Sequence, residues 1–113
     1  METLFTKIIN KEIPADIIFE DEQSLVFKDI NPQAPIHILI IPKSKYCSFA
    51  DFSLKASSEE IETFFRAINN ITEKLKIFDG YRLISNVGPL GGQEVPHFHF
   101  HLLSGKALGS KVT

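Results

Sequence analysis

Cysteine is almost missing from this chain of 113 residues, since Cys47 is its only example. An intrachain disulfide is therefore impossible, and a secreted scaffold stapled by disulfides is excluded. Long apolar runs are missing too, because no stretch approaches the ~20 residues needed to cross a bilayer. The start of the chain shows neither the basic nor the apolar segment of a secretory leader. We therefore expect a cytoplasmic protein with no membrane partner.

The chain also lacks an excess of positive charge. It has 12 lysines and arginines against 14 aspartates and glutamates, a formal net charge of -2. Proteins that hold nucleic acid mainly through charge carry a basic field, so we do not expect a nucleic-acid partner. A hydrophobic content of 43% and a charged content of 23% are typical of globular chains. The length suits one domain over residues 1–113.

The hydrophobic pattern predicts an α+β fold, with an about five-stranded, mainly antiparallel sheet, one short helix and one long helix. The short helix is expected over residues 4–10. The long helix is expected to follow Ser57, because Ser57 and Glu60 have the spacing of a capping box. We leave residues 44–56 as irregular. The predicted strands are residues 16–20, 24–30, 36–41, 81–86 and 97–103, the first two forming a hairpin.

Three of the four histidines lie in the last predicted strand, as His97, His99 and His101. Strand side chains alternate, so these three are expected on one face, with Phe98 and Phe100 on the other. The phenylalanine face would pack on the core, against the long helix. The histidine face would then line a cleft or the surface.

A histidine face has three explanations. It can be a polar sheet face without chemistry. It can bind zinc through two neighbouring rings, each about 2.1 Å from the metal. The outer two histidines lie ~13 Å apart on a straight strand, so a further ligand would come from elsewhere, with His37 or Glu94 as candidates. We favour the third explanation, phosphate chemistry. Neutral imidazole is a nucleophile, and the glycine-rich residues 88–92 let main-chain N–H groups approach a phosphate.

Residues 91–103, with their His-x-His-x-His pattern after Gly-Gly-Gln, resemble the signature of the histidine triad (HIT) superfamily. The segments 5–9, 12–15, 27–37 and 41–43 resemble its HINT branch, in the same order. The resemblance extends over roughly residues 5–103, nearly the whole chain. It implies a HIT-like fold and a homodimer whose sheets join across the interface.

The resemblance also implies an activity without a cofactor. That activity is hydrolysis of nucleoside 5'-phosphoramidates, conjugates of AMP or GMP, through a covalent nucleotidyl-histidine intermediate. Two alternatives stay open. One is hydrolysis of dinucleoside polyphosphates, and the other is a dimeric nucleotide-binding interaction module whose hydrolysis is incidental.

By motif position, the resemblance makes His99 the nucleophile that attacks the α-phosphorus. His97 would orient His99 and support its charge. His101 and Asn86 would contact the phosphate or the leaving group. On pattern alone His37, among isoleucines, is better explained as a hydrogen-bonded histidine of the core; the resemblance makes a supporting role beside the triad an equal alternative.

The resemblance also implies a nucleotide pocket. Asp29 would accept the ribose hydroxyls, since a carboxylate is an acceptor only, although an aspartate here also suits a turn cap. Gly92 and the Val95 backbone would lie beside the α-phosphate, and Glu94 near the leaving group. Four apolar residues, for which core packing is the default explanation, would hold the base: Phe5, Ile8, Phe27 and Ile30.

The chain departs from the family at positions linked to zinc. Many members carry two cysteines near the N-terminus, where this chain has Thr3 and Thr6, and Lys45 replaces another metal-binding histidine. We therefore expect no bound metal. Glu94 stands where animal relatives often have serine, so the resemblance leaves the leaving-group preference open.

Overall fold

A five-stranded antiparallel sheet organises the fold, in the strand order β1-β2-β3-β5-β4. The computed structural model describes residues 2–110. Its strands are β1 (Ile17–Glu20), β2 (Ser24–Lys28), β3 (Ile36–Pro42), β4 (Arg82–Ile84) and β5 (Phe100–Ser104). Its helices are α1 (Leu4–Ile9), α2 (Phe49–Lys55) and α3 (Ser58–Lys74), with a 3-10 turn at Pro89–Gly91. No helix within these residues is both long and apolar enough to cross a bilayer.

The central strand is β3, which is buried on both of its faces. Its Ile40 pairs with Val26 of β2 on one side and with Phe100 of β5 on the other. A strand in this position gains from β-branched side chains that fill the space on both faces, which explains the isoleucine-rich sequence.

Each face of the sheet has its own apolar core. On one face, α3 packs Phe64 and Ile71 against Phe98 and Leu102. The predicted phenylalanine face is therefore confirmed as a core face. On the other face, α1 packs Phe5 and Ile8 against the sheet residues Leu25, Phe27, Leu39 and Ile41.

Reciprocal capping boxes start both predicted helices. At α3 the Ser57 hydroxyl accepts from the Glu60 N–H, while the Glu60 carboxylate accepts from the Ser57 N–H, as predicted. At α1 the same exchange joins Thr3 and Thr6. Such caps satisfy main-chain donors that a helix start leaves without partners.

Treating residues 44–56 as irregular was wrong, because α2 lies within them. Ser48 caps this helix by accepting from the Asp51 N–H. Phe52 is the only residue of α2 that is fully buried, and its ring lies 4.8 Å from that of Phe98. Because only one side chain is buried in the two turns of α2, its sequence shows no hydrophobic periodicity from which a helix could be predicted.

The last strand begins later than predicted, at Phe100 and not at His97. Its partner β3 ends at Pro42, and proline has no N–H to extend the ladder. The preceding chain bonds to loops instead, since Phe98 N–H donates to the Tyr46 carbonyl at 2.7 Å. His97 and His99 therefore lie in an irregular segment just before β5, and both are buried rather than exposed on a sheet face.

Candidate active site

A cavity of about 600 Å³ opens between α1, the end of β2 and the loop that leads into β5. All the predicted site residues line it except His97 and His37. Its apolar part comes mainly from α1, residues 13–15 and the sheet residues Phe27 and Leu39, whereas its polar part comes from the end of β2 and from the chain that leads into β5. The predicted residues that it brings together are Phe5, Ile8, Phe27, Asp29, Ile30, Asn86, Gly92, Glu94, Val95, His99 and His101.

His99 is held in one tautomer. Its Nδ1 lies 2.7 Å from the main-chain carbonyl oxygen of His97, and a carbonyl only accepts, so Nδ1 carries the proton. The lone pair of neutral His99 is therefore on Nε2. The Phe5 ring stands edge-on at 5.0 Å and limits the ring's rotation. Burial lowers the pKa of His99, which favours the neutral, nucleophilic form.

His97 acts on His99 through its main chain. Its own ring points elsewhere, with Nε2–H donating to the Pro42 carbonyl at 2.7 Å, and it is 2% exposed. Burial lowers the pKa of His97 as well, and the charges of His99 and Lys45 add to that effect. The orienting contact expected of this residue is thus made by a backbone oxygen.

A second hydrogen-bonded chain fixes the tautomer of His101. The Gln33 main-chain N–H donates to His37 Nδ1 at 3.0 Å, so the proton of neutral His37 is on Nε2. That proton is donated to His101 Nδ1 at 2.9 Å. Neutral His101 therefore carries its proton on Nε2, which leaves an N–H for a ligand. Burial, with the neighbouring His99 and His37, lowers the pKa of His101 to about 4.

Asp29 lies beside this pair of rings. Its Oδ2 is 3.4 Å from His37 Nε2 and 3.8 Å from His101 Nδ1. Its Oδ1 accepts from the Asn31 N–H at 2.8 Å, so the aspartate caps a turn and borders the cavity at once. A carboxylate has about four acceptor sites, which leaves capacity for ribose hydroxyls.

Asp29, His37 and His101 also form a group of possible metal ligands, with their atoms within 4.8 Å of one another. The Gln33 N–H keeps the proton of neutral His37 on Nε2, the atom that would face a metal. The group therefore matches a hydrogen-bonded network better than a metal centre.

The residues at the family's zinc position do not fit a zinc ion. The hydroxyls of Thr3 and Thr6 lie 3.1 Å apart and bond to each other and to the helix start. Structural zinc takes thiolate, imidazole or carboxylate ligands. Lys45 adds a positive charge close to His97, which would repel a cation.

Gln93 ties the glycine-rich loop together, a role that no pattern indicated beyond its place inside the triad motif. Its Oε1 accepts from the Gly88 N–H at 3.0 Å. Its Nε2 donates to the carbonyls of Val95 at 3.0 Å and Cys47 at 2.6 Å. Gly92 has φ 76°, a left-handed conformation that suits glycine.

Comparison with known proteins identifies the family. A model of the HIT domain matches residues 10–108, so the chain belongs to the HIT domain family. An uncharacterized HIT-like protein of Rickettsia prowazekii is 51% identical over 95% of this chain and 90% of its own length. The purine nucleoside phosphoramidase of Escherichia coli is 46% identical over 96% of this chain and 91% of its own.

A solved structure confirms the expected HIT-like fold. The HIT family hydrolase from Clostridium thermocellum superposes with a TM-score of 0.88 at 41% identity. The match covers 99% of this chain and 97% of that one.

Proposed function

We propose that this protein is a cytoplasmic nucleoside phosphoramidase that cleaves the P–N bond of AMP or GMP conjugates. The observation that carries the proposal is the tautomer of His99, whose Nδ1–H is donated to the His97 carbonyl while Nε2 keeps its lone pair. This nucleophile borders a cavity large enough for a small-molecule ligand. The E. coli relative that is named a purine nucleoside phosphoramidase supports the choice of substrate.

The cavity suggests how a nucleotide binds. The base lies in the apolar part, where the rings of Phe5 and Phe27 stand 5.5 Å apart with Ile8 and Ile30 beside them. Asp29 accepts the ribose hydroxyls. The phosphate lies against Gly92, Val95 and Asn86.

His101 donates its Nε2–H to a phosphate oxygen. Because its pKa is lowered to about 4, it is neutral near pH 7 and acts as a hydrogen-bond donor in the free protein.

The reaction has two displacements at phosphorus. First, the Nε2 lone pair of His99 forms a bond to phosphorus while the P–N bond breaks; the electron pair stays on the nitrogen, which takes up a proton from solvent and leaves as the amine. Second, water forms the new P–O bond and releases His99. Over both steps one water molecule supplies the proton that the nitrogen gains and the hydroxyl that the phosphorus gains.

We also propose that two copies associate through the β4 edge of the sheet. Strand β4 is the outer strand beside β5, and an open edge is a template for pairing. Apolar side chains are exposed on and before it, at Phe78, Tyr81 and Leu83. Light scattering after size exclusion should give a dimer for the native protein and a monomer for Leu83→Lys.

Turnover of adenosine 5'-phosphoramidate tests the activity. Native protein should release AMP, and His99→Gly should lose at least ~10³-fold of that rate, because the covalent route is closed. Glu22→Gln, in the β1–β2 turn, serves as a control with native turnover. Unchanged turnover in His99→Gly would contradict the mechanism. Tight AMP binding with negligible turnover of any phosphoramidate would favour the binding-module alternative.

A further inference from the structure

Glu94 contributes to the cavity wall a carboxylate that no residue of the described range 2–110 pairs with. It is exposed, lines the cavity, and makes no hydrogen bond or ion pair with another residue of the described range 2–110. The Gln93 side chain is bonded to the Cys47 and Val95 carbonyls. Gln93 does not line the cavity, whereas its neighbour Glu94 does, so the Gln93 bonds hold the loop that presents this carboxylate.

The cavity contains little positive charge. The charged side chains that line it are Lys28, Asp29 and Glu94. Lys28 is already 3.5 Å from the Asp16 carboxylate. Burial lowers the pKa of His99 and of His101, so both rings are neutral near pH 7. The charged side chains of the lining therefore carry a net negative charge, although the expected ligand carries an anionic phosphate.

The position of Glu94 in the cavity places its negative charge near the leaving group of the expected ligand. The apolar part of the cavity comes mainly from α1, residues 13–15 and the sheet residues Phe27 and Leu39, with Asp29 directly after β2. Glu94 and Asn86 come from the loop between β4 and β5, the Glu94 wall, in which Glu94 is exposed while the next residue, Val95, packs against the apolar cluster. With the base on the apolar part and the phosphorus at His99, the remaining substituent of the phosphorus is directed to the Glu94 wall.

We propose that Glu94 is a specificity-determining residue that selects leaving amines carrying a second, positively charged group. This rests on the proposed phosphoramidase activity and names its substrate class: nucleoside phosphoramidates of diamines or of basic amino-acid derivatives. The leaving amine's ammonium lies near the Glu94 carboxylate before and during P–N cleavage. A neutral amine forgoes this attraction, and an amine with a carboxylate is repelled.

Three adenosine phosphoramidates of matched length test the proposal: those of butylamine, 1,4-diaminobutane and 4-aminobutyrate. The kcat/KM of each is measured for native protein, for Glu94→Gln and for the control Glu22→Gln. The native protein and the control should favour the diaminobutane over the butylamine conjugate by about five- to tenfold, the size of one partly exposed charge pair. Glu94→Gln should bring the ratio close to one. Raised salt should reduce the native preference by screening.

The other outcomes of this experiment separate a failure of the Glu94 assignment from a failure of the proposed phosphoramidase activity. A native ratio near one, or a ratio unchanged in Glu94→Gln, would overturn the assignment of Glu94 while leaving the phosphoramidase activity in place. An equal fall of all three substrates in Glu94→Gln would also overturn it, because it would make Glu94 a general catalytic group. No turnover of any conjugate by native protein would overturn the proposed function, and this inference with it.

Discussion

His37 Nε2 lies 2.9 Å from His101 Nδ1, and the main-chain N–H of Gln33 decides which of the two atoms holds the proton. A backbone donor thereby sets the tautomer of a ring two hydrogen bonds away. The consequence is an N–H on His101 Nε2, at the cavity where an anionic group is expected to bind.

Replacing His37 should leave the tautomer of His101 unfixed. In His37→Phe, His101 loses its partner and divides between two tautomers, so kcat/KM should fall by about tenfold, the size of one hydrogen bond to a reacting group. Gln33→Ala keeps the main-chain N–H and should stay within about twofold of native. Steady-state kinetics with adenosine phosphoramidate measures both. A larger loss in Gln33→Ala than in His37→Phe would contradict the network.

The lowered histidine pKa values predict how stability depends on pH. The pKa of His101 falls from 6.5 in the unfolded chain to about 4 in the fold, and those of His97 and His99 are also lowered. Between these values the unfolded chain binds more protons, so stability decreases as the pH falls below about 6.5.

Urea denaturation should therefore give a free energy of unfolding lower by about 1–2 kcal/mol at pH 5.5 than at pH 7.5. Carboxylates titrate mostly below this window, so the histidines dominate the change. The decrease should be smaller in His101→Asn. Equal stability at the two pH values would show that these rings are not buried in the neutral form.

The three hydrogen bonds of Gln93 predict an effect on the glycine-rich loop. Gln93→Leu removes all three and should lower the free energy of unfolding by about 1–3 kcal/mol. It should also speed hydrogen exchange at the Gly88 amide, whose acceptor is Gln93 Oε1. Gln93→Glu keeps an acceptor for the Gly88 N–H but loses both donated bonds. Its free energy of unfolding should therefore lie between those of the native protein and Gln93→Leu. Native exchange at Gly88 in the leucine variant would argue against this role.

The capping box of α1 predicts a stability that does not depend on metal. Thr3→Ala should cost about 1 kcal/mol, since it removes the acceptor for the Thr6 N–H. Thermal melting of the native protein should be the same with and without a chelator. A chelator-induced fall in Tm, with stoichiometric zinc by elemental analysis, would overturn the expectation that no metal is bound.

The predictable part of the fold is the part with strong periodicity. The long helix was predictable because its apolar residues recur at helical intervals behind a Ser57–Glu60 box, and β3 because it is apolar on both faces. Helix α2 was not predictable, since Phe52 alone is buried. The start of β5 depends on Pro42 of another strand, which the pattern of residues 97–103 does not contain.

The candidate site divides in the same way. Much of its lining could be predicted because the family resemblance covers the segments 5–9, 27–37 and 91–103. The proton positions could not be predicted. They depend on the His97 and Pro42 carbonyls and the Gln33 N–H, main-chain groups that almost every residue carries. Only the three-dimensional arrangement shows which of them meet the rings.

The covalent role of His99 is the central claim, and trapping the intermediate tests it most directly. Protein mixed with adenosine 5'-phosphoramidate is quenched within the first turnover at alkaline pH and mapped by peptide mass spectrometry. An adenylyl group should be found on His99, lost in acid and absent from His99→Gly. An adduct on His97 or His101, or continuing AMP release with no adduct on His99, would contradict the account.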